Sequence, residues 1–434
     1  MRTRWISLLV LLAMGVASCT GGQRPARTLN PSNEPASTDL LFLATGAGIQ
    51  ALDPSDGRIV FQADGVVPSP DWSVLVGSSH GAGMTTVRTL DPSTGQAQSA
   101  NQVRGDLVTS AVSSDGLYAA LVDPGATTFP AVPAGRAFTH VVVAGLSTDS
   151  SDQRFHLRGN FQPEAFSPDA SRLFLIEYLP AMAPERYRVM SLDLVRDRLY
   201  PTYGRTKFPT GTMTGTRVMH VFAPAGDRLY TLYTNQPSAY SEADESGTES
   251  YSSKSGAYGS GSAQAGKWSD AFVHTLFLDS GQAICVNLPE AFGSGPVRAK
   301  TLAVSTDGTR LFAIDTDRKL LTELRTRGPR VETSTQVDFG PQSDGTAVAA
   351  TAPDGTLYVG WGGSIVAIDG QALTVRERWD VDGQVTGLAL GSDGTRLYVA
   401  LGDRIMALDP STGDQLATIP TPGVQGISFV GSAA

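Results

Sequence analysis

From Asp39 onward the apolar and polar positions repeat one phrase: an apolar strand, a turn resembling Ser-Pro-Asp-Gly, then a second apolar strand. The turn occurs seven times, at Ser69-Pro70-Asp71-Trp72, Ser113-Ser114-Asp115-Gly116, Ser167-Pro168-Asp169-Ala170, Ala223-Pro224-Ala225-Gly226, Ser305-Thr306-Asp307-Gly308, Ala352-Pro353-Asp354-Gly355 and Gly391-Ser392-Asp393-Gly394. Segments such as Arg310-Leu311-Phe312-Ala313-Ile314 and Arg396-Leu397-Tyr398-Val399-Ala400 follow, and their alternation predicts β-strands. A third strand leads into a second turn, as in Leu52-Asp53-Pro54-Ser55-Asp56-Gly57, Leu90-Asp91-Pro92-Ser93-Thr94-Gly95 and Leu408-Asp409-Pro410-Ser411-Thr412-Gly413. There Pro presets φ, Asp bonds its own backbone and Gly takes the left-handed position. No convincing helical period is visible.

Four strands in about 40 residues is the signature of a propeller blade. The first unit, Leu40 to Asp64, lacks a first strand, while the chain ends on Val424 to Val430, a lone strand of that type. The two ends are expected to complete one blade. The fold predicted is an all-β propeller of eight four-stranded antiparallel blades over residues 39–434, or of seven if the unit between Lys300 and Val337 pairs differently. On these residues the chain resembles the broad bacterial group of WD-like, YVTN-type and TolB-type propellers. The resemblance implies the fold and leaves function open, because propellers serve enzymes, scaffolds and ligand binders alike. Ala407 to Gly413 is also similar to the front of the pyrroloquinoline-quinone-type repeat, but Asp414 replaces its Lys and Ala417 stands where its closing Trp belongs. Trp379 is the only Trp in a comparable stretch.

The start of the chain has a different pattern. Arg2 and Arg4 precede an apolar stretch from Trp5 to Met14, too short to span a bilayer, and the small residues Gly15 to Ser18 follow. Residues 1–18 therefore read as an export signal. Val16-Ala17-Ser18-Cys19 resembles the lipobox of bacterial lipoproteins, which implies cleavage before Cys19 and acylation of its thiol. Membrane lipid would then be a partner through Cys19, since two or three acyl chains anchor stably where about one is marginal. Residues 20–38, rich in Gly, Pro, Ser, Thr, Asn and Arg, read as a flexible tether.

Charge and composition narrow the functional classes. With 33 Lys+Arg against 42 Asp+Glu the chain carries a formal charge of −9, and its basic residues are spread out, which argues against a nucleic-acid partner. The two cysteines, Cys19 and Cys285, supply neither a disulfide framework nor a Cys-based zinc site. Gly77-Ser78-Ser79-His80-Gly81 matches a nucleophile elbow but falls between predicted strands rather than at a strand-to-helix turn. Gly261 to Lys267 approaches a phosphate loop, yet Trp268 stands where the magnesium-binding hydroxyl belongs. The pairs Asp315/Asp317 and Asp380/Asp382 lack a later carboxylate for calcium. His80, His140, His156, His220 and His274 show no local metal-ligand spacing, although a ring could gather His220, on a first strand near the axis, with His140 and His274. Cys285 reads as a small buried residue. No metal site, cofactor or catalytic residue is expected from these motifs.

Loop lengths point to where binding would occur. Three insertions, Pro124–Arg136, Pro180–Arg186 and Asn235–Ser269, lie between the second and third strands of three consecutive blades. Such loops emerge on the face that carries the connections between blades, and the longest connection, Gly204–Thr216, joins two of the same blades. The insertions and their edges hold Phe129, Tyr178, Met182, Tyr187, Tyr240, Tyr251, Tyr258 and Trp268, with Arg186, Arg205 and Lys267. Aromatic and Arg side chains are the usual anchors of interfaces. A lipid-anchored, non-catalytic module binding a protein, peptide or glycan in the cell envelope is the reading preferred. One alternative is a lactonase or other hydrolase, which requires carboxylates with His or Arg at the axis; the other, carried by the lipoprotein resemblance, is an accessory subunit of an envelope assembly machine.

Overall fold

The computed structural model describes residues 39–124, 133–147, 151–202, 212–234 and 270–432. They form eight four-stranded antiparallel sheets. Blade 1 joins the ends of the chain: its first strand is Val424–Ser432, followed by Asp39–Thr45, Gly48–Leu52 and Ile59–Ala63. Phe42 pairs with Phe429 and Leu43 with Ile427 across the junction. Blades 2 to 8 begin with Val66–Pro68, Val108–Val112, Asn160–Phe166, Thr216–Phe222, Lys300–Val304, Val348–Thr351 and Gly387–Leu390. These first strands lie beside one another around the ring, with sparser contact between blades 4 and 5 and between blades 1 and 2.

The repeated turn works through its side chains. Ser69, Ser113, Ser167 and Ser305 each donate a hydroxyl hydrogen bond to the Asp two residues on, at 2.5–2.6 Å. Each hydroxyl oxygen accepts from the backbone N–H five residues on, at 2.9–3.1 Å. The hairpin between first and second strands is thereby closed by local chemistry alone. In blade 8 the serine position holds Gly391, and the turn is tied instead by Asp39, which accepts from the Ser392 backbone N–H at 2.9 Å and pairs with its hydroxyl.

The core consists of layers between neighbouring blades. Phe174, Ile176 and Tyr233 fill the seam of blades 4 and 5; Tyr230, Leu232, Phe292 and Leu311 fill that of blades 5 and 6. Each blade buries both faces, so second strands such as Arg172–Leu179 are apolar nearly throughout, and the expected alternation survives best in outer strands such as Gln415–Pro420. At the seam of blades 7 and 8 the Trp379 ring lies directly over Gly413, where an added Cβ would approach it to 2.3 Å. The unit between Lys300 and Val337 forms a regular blade, which settles the count at eight. Its first two strands bring Lys300 opposite Asp315 as a fully buried ion pair, with Lys300 Nζ also donating to the Ser294 carbonyl at 2.8 Å.

Candidate functional site

The first strands of blades 3, 4 and 5 depart from regular pairing at the same place. Pro163 pairs with Leu175 and Ala165 with Phe174, which leaves Glu164 outside the ladder; Ser110 and Val218 hold the equivalent bulged positions. The bulge belongs to the repeat rather than to the proline, since Thr109 and Arg217 hold the place of Pro163 in blades 3 and 5. Glu164 is thereby set toward blade 5, where Arg217 reaches it in a close ion pair, with side chains only 6% and 8% exposed. His220 Nδ1 stands 3.6 Å from Glu164 Oε1 and 3.3 Å from the Arg217 guanidinium.

A cavity of about 80 Å³ opens here, bounded by Ser110, Gln162, Pro163, Glu164, Ile176, Arg217 and His220. The Ser110 hydroxyl donates to the Pro163 carbonyl at 2.8 Å, and the Tyr178 hydroxyl donates to Gln162 Oε1 at 3.1 Å. Burial alone would raise the Glu164 pKa, but the Arg217 charge, aided by His220, more than offsets this and holds it at about 2. The carboxylate is therefore ionised throughout the neutral range. Burial pushes His274 down to about 4, against the opposing pull of Glu164, so it is neutral at pH 7. Tyr187 and Tyr233 stack at 5.3 Å behind the pair, and burial raises the hydroxyl pKa of both.

Above this cluster the described edges of two insertions and one connection are sewn together. Arg136 donates its backbone N–H to the Ala181 carbonyl at 3.0 Å, and its guanidinium to Asn160 Oδ1 and the Phe161 carbonyl, each at 2.9 Å. Asn160 in turn donates to the Ala134 and Ala181 carbonyls. Tyr187 forms a backbone bridge with Met213, and its hydroxyl donates to the Thr214 carbonyl at 2.9 Å. The described edges of the blade 3 and blade 4 insertions and of the connection into blade 5 thus meet.

Individual candidates fare differently. Met182 is 64% exposed on this face, and Arg186 opens the third strand of blade 4 at the surface. Tyr178 and Tyr187 are corrected: they are strand residues, 6% and 7% exposed, packed in the seam of blades 4 and 5, and cannot serve as surface anchors. Their position at the insertion's edge made them look like loop residues. Cys19, Phe129, Arg205, Tyr240, Tyr251, Tyr258, Lys267 and Trp268 lie outside the described residues. The sequence reading missed Gln162, Glu164 and Arg217; the available signal was a charged residue within an inner strand of a propeller.

Four of the five histidines form two groups. His220 and His274 flank Glu164, whereas His140 sits opposite His156 on the outside of blade 3, with rings 4.6 Å apart and Asp123 at 3.1 Å. Among the described residues no three His, Cys, Asp or Glu side chains are placed to hold a metal ion. A larger groove of about 250 Å³ at the seam of blades 7 and 8 is lined by Trp379, Asp380, Asp382 and Arg404. Two of its charged residues engage the protein: Asp380 accepts from Ser364 at 2.7 Å, and Arg404 binds Asp403 and the Asp382 carbonyl, while Trp379 Nε1 has no hydrogen-bond partner among the described residues.

No protein-family model and no curated protein sequence matches the chain. Solved structures do. The dihydro-heme d1 dehydrogenase NirN, in complex with DHE, is similar over 94% of this chain and 78% of its own, at 14% identity and a TM-score of 0.50. Sqt1 of Saccharomyces cerevisiae covers 83% and 86% at 10% identity, and AztD of Citrobacter koseri covers 90% and 96% at 11%, both with a TM-score of 0.50. At these identities the likeness establishes the propeller fold alone.

Proposed function

We propose that the chain is an exported, lipid-anchored propeller that acts as a non-catalytic binding or scaffold module of the cell envelope, taking a protein, peptide or glycan on the face of blades 3 to 5. The observation that carries this reading is the continuity of that face. The edges at 133–137, 180–187 and 212–215 are hydrogen-bonded together and run, through Asn160 and Gln162 on one strand, into the axial Glu164–Arg217–His220 cluster. Loops held on a rigid scaffold are where binding resides. Glu164 suits recognition because Arg217 keeps it ionised and fixed in place, whereas a proton-transfer group needs a pKa near the working pH. Export and anchoring rest on the leader pattern of residues 1–18, Cys19 and the polar tether behind it.

The test is to shorten residues 235–269 to a Gly-Ser turn. The reading expects near-normal melting, since loop closure changes by only about 0.6 kcal/mol per doubling of length, with weakened capture of the envelope partner. Normal melting with unchanged capture counts against it.

A hydrolase is the second reading, because a carboxylate, an arginine and a histidine do converge at the axis and the His220 side chain is 38% exposed. Turnover of a lactone panel that disappears in His220→Ala would favour it over simple binding.

A further inference from the structure

The axial cavity specifies the chemistry of its ligand. Its two full charges, Glu164 and Arg217, neutralise one another, so neither an anionic nor a cationic ligand gains net Coulomb energy there. What remains is hydrogen-bonding capacity. Glu164 Oε1 takes the Arg217 hydrogen bond and faces His220, whereas Oε2 accepts none from the described residues, although the side chain is 6% exposed. Oε2 is not fully enclosed, so it can accept from water or from a ligand donor in the cavity. Gln162 uses its Oε1 to accept from Tyr178, which leaves the amide N–H groups as donors. Ser110 gives its proton to the Pro163 carbonyl, so its oxygen remains an acceptor. Ile176 supplies an apolar wall.

Two acceptors and a donor around an apolar wall match hydroxyl groups on adjacent carbons, each of which donates and accepts, presented by a ring with an apolar C–H face. We infer that the cavity between blades 3, 4 and 5 binds the edge of a neutral sugar, with one hydroxyl donating to Glu164 Oε2 and its neighbour accepting from the Gln162 amide. A volume of about 80 Å³ admits part of one ring and leaves the remainder to the loop face above. The inference rests on reading the axial end of blades 3 to 5 as a binding site.

Ligand-observed NMR and calorimetry on the detergent-solubilised full chain test it, with glucose, galactose and mannose as neutral probes and glucuronate and glucosamine as charged ones. At least one neutral sugar is expected to bind in the millimolar range, and the charged pair about ten-fold more weakly or not at all. Gln162→Leu, which leaves the ion pair intact, should weaken the neutral sugar about ten-fold at an unchanged melting temperature; Ser110→Ala, a smaller change, should weaken it in part. Absence of binding by all three neutral sugars, equal binding of a charged analogue, or undiminished binding by both folded variants overturns the inference. Any of these would leave the loop face itself untouched, because cross-linking from Met182 reports that face independently of the cavity.

Discussion

Phe429, on the last strand of the chain, stacks on Trp72 of the blade 2 turn, with ring centroids 5.1 Å apart and planes 6° from parallel. Phe42 closes the group at 6.0 Å from Phe429 and 5.2 Å from Trp72. The C-terminal strand therefore ties blade 1 to blade 2, while its Val424, Ile427 and Val430 tie blade 1 to blade 8. Truncation before Val424 should prevent cooperative unfolding at the parent temperature, and Phe429→Ala alone should cost about 2 kcal/mol. Thermal melts followed by circular dichroism check both; a truncated chain that melts like the parent would show that closure contributes nothing.

The seam of blades 7 and 8 gives a sharper steric test. Gly413 has φ +73° and carries the Trp379 ring, so Gly413→Ala suffers both backbone strain and a clash. Gly402, with φ +86° and nothing within 4 Å of an added Cβ, isolates the strain. Gly402→Ala should cost about 1 kcal/mol and Gly413→Ala about 3 kcal/mol, read from urea midpoints at constant slope. Equal losses would mean that the indole yields freely.

The axial cluster predicts a pH dependence. His274 has its pKa lowered to about 4 by burial, from an ordinary 6.5. Between these values the unfolded chain takes up a proton that the folded chain refuses. Stability should therefore be undiminished above pH 6.5 and fall as the pH drops toward 4, by about 3 kcal/mol from this residue. Glu164, lowered from 4.5 to about 2, adds a loss only below about pH 4.5. Denaturant titrations at pH 7, 6 and 5 should show a smaller decline in His274→Gln than in the parent, and identical declines would exclude His274 as the cause.

The architecture was legible because its signals are local. The turns between first and second strands, several closed by a Ser that bonds the Asp two residues on, are complete within six residues, so the seven of them mark seven blades and the two chain ends supply the eighth. The axial site was not legible, because Glu164 and Arg217 are 53 residues apart and meet only across a blade seam, at a bulge that no periodicity announces. The role of Trp379 was hidden for the same reason: its partner Gly413 belongs to the next blade. Tyr178 and Tyr187 misled because the short insertion between them contributes its flanks to strands that bury both faces.

The anchor has its own readout. Cys19→Ser should shift the protein from the membrane fraction to the soluble fraction, or leave a precursor that retains residues 1–18, as seen by fractionation and intact mass. Unchanged membrane partition together with normal processing would remove the lipoprotein proposal.

The most direct test of binding at blades 3 to 5 is site-specific photo-cross-linking in intact cells. A benzophenone amino acid at Met182, 64% exposed on the proposed face, is compared with one at Leu416, 42% exposed on the outer strand of blade 8. The account predicts a discrete adduct from position 182 that is absent from position 416 and is lost when residues 235–269 are shortened. Adducts of equal yield from both positions, or from 416 alone, would contradict it.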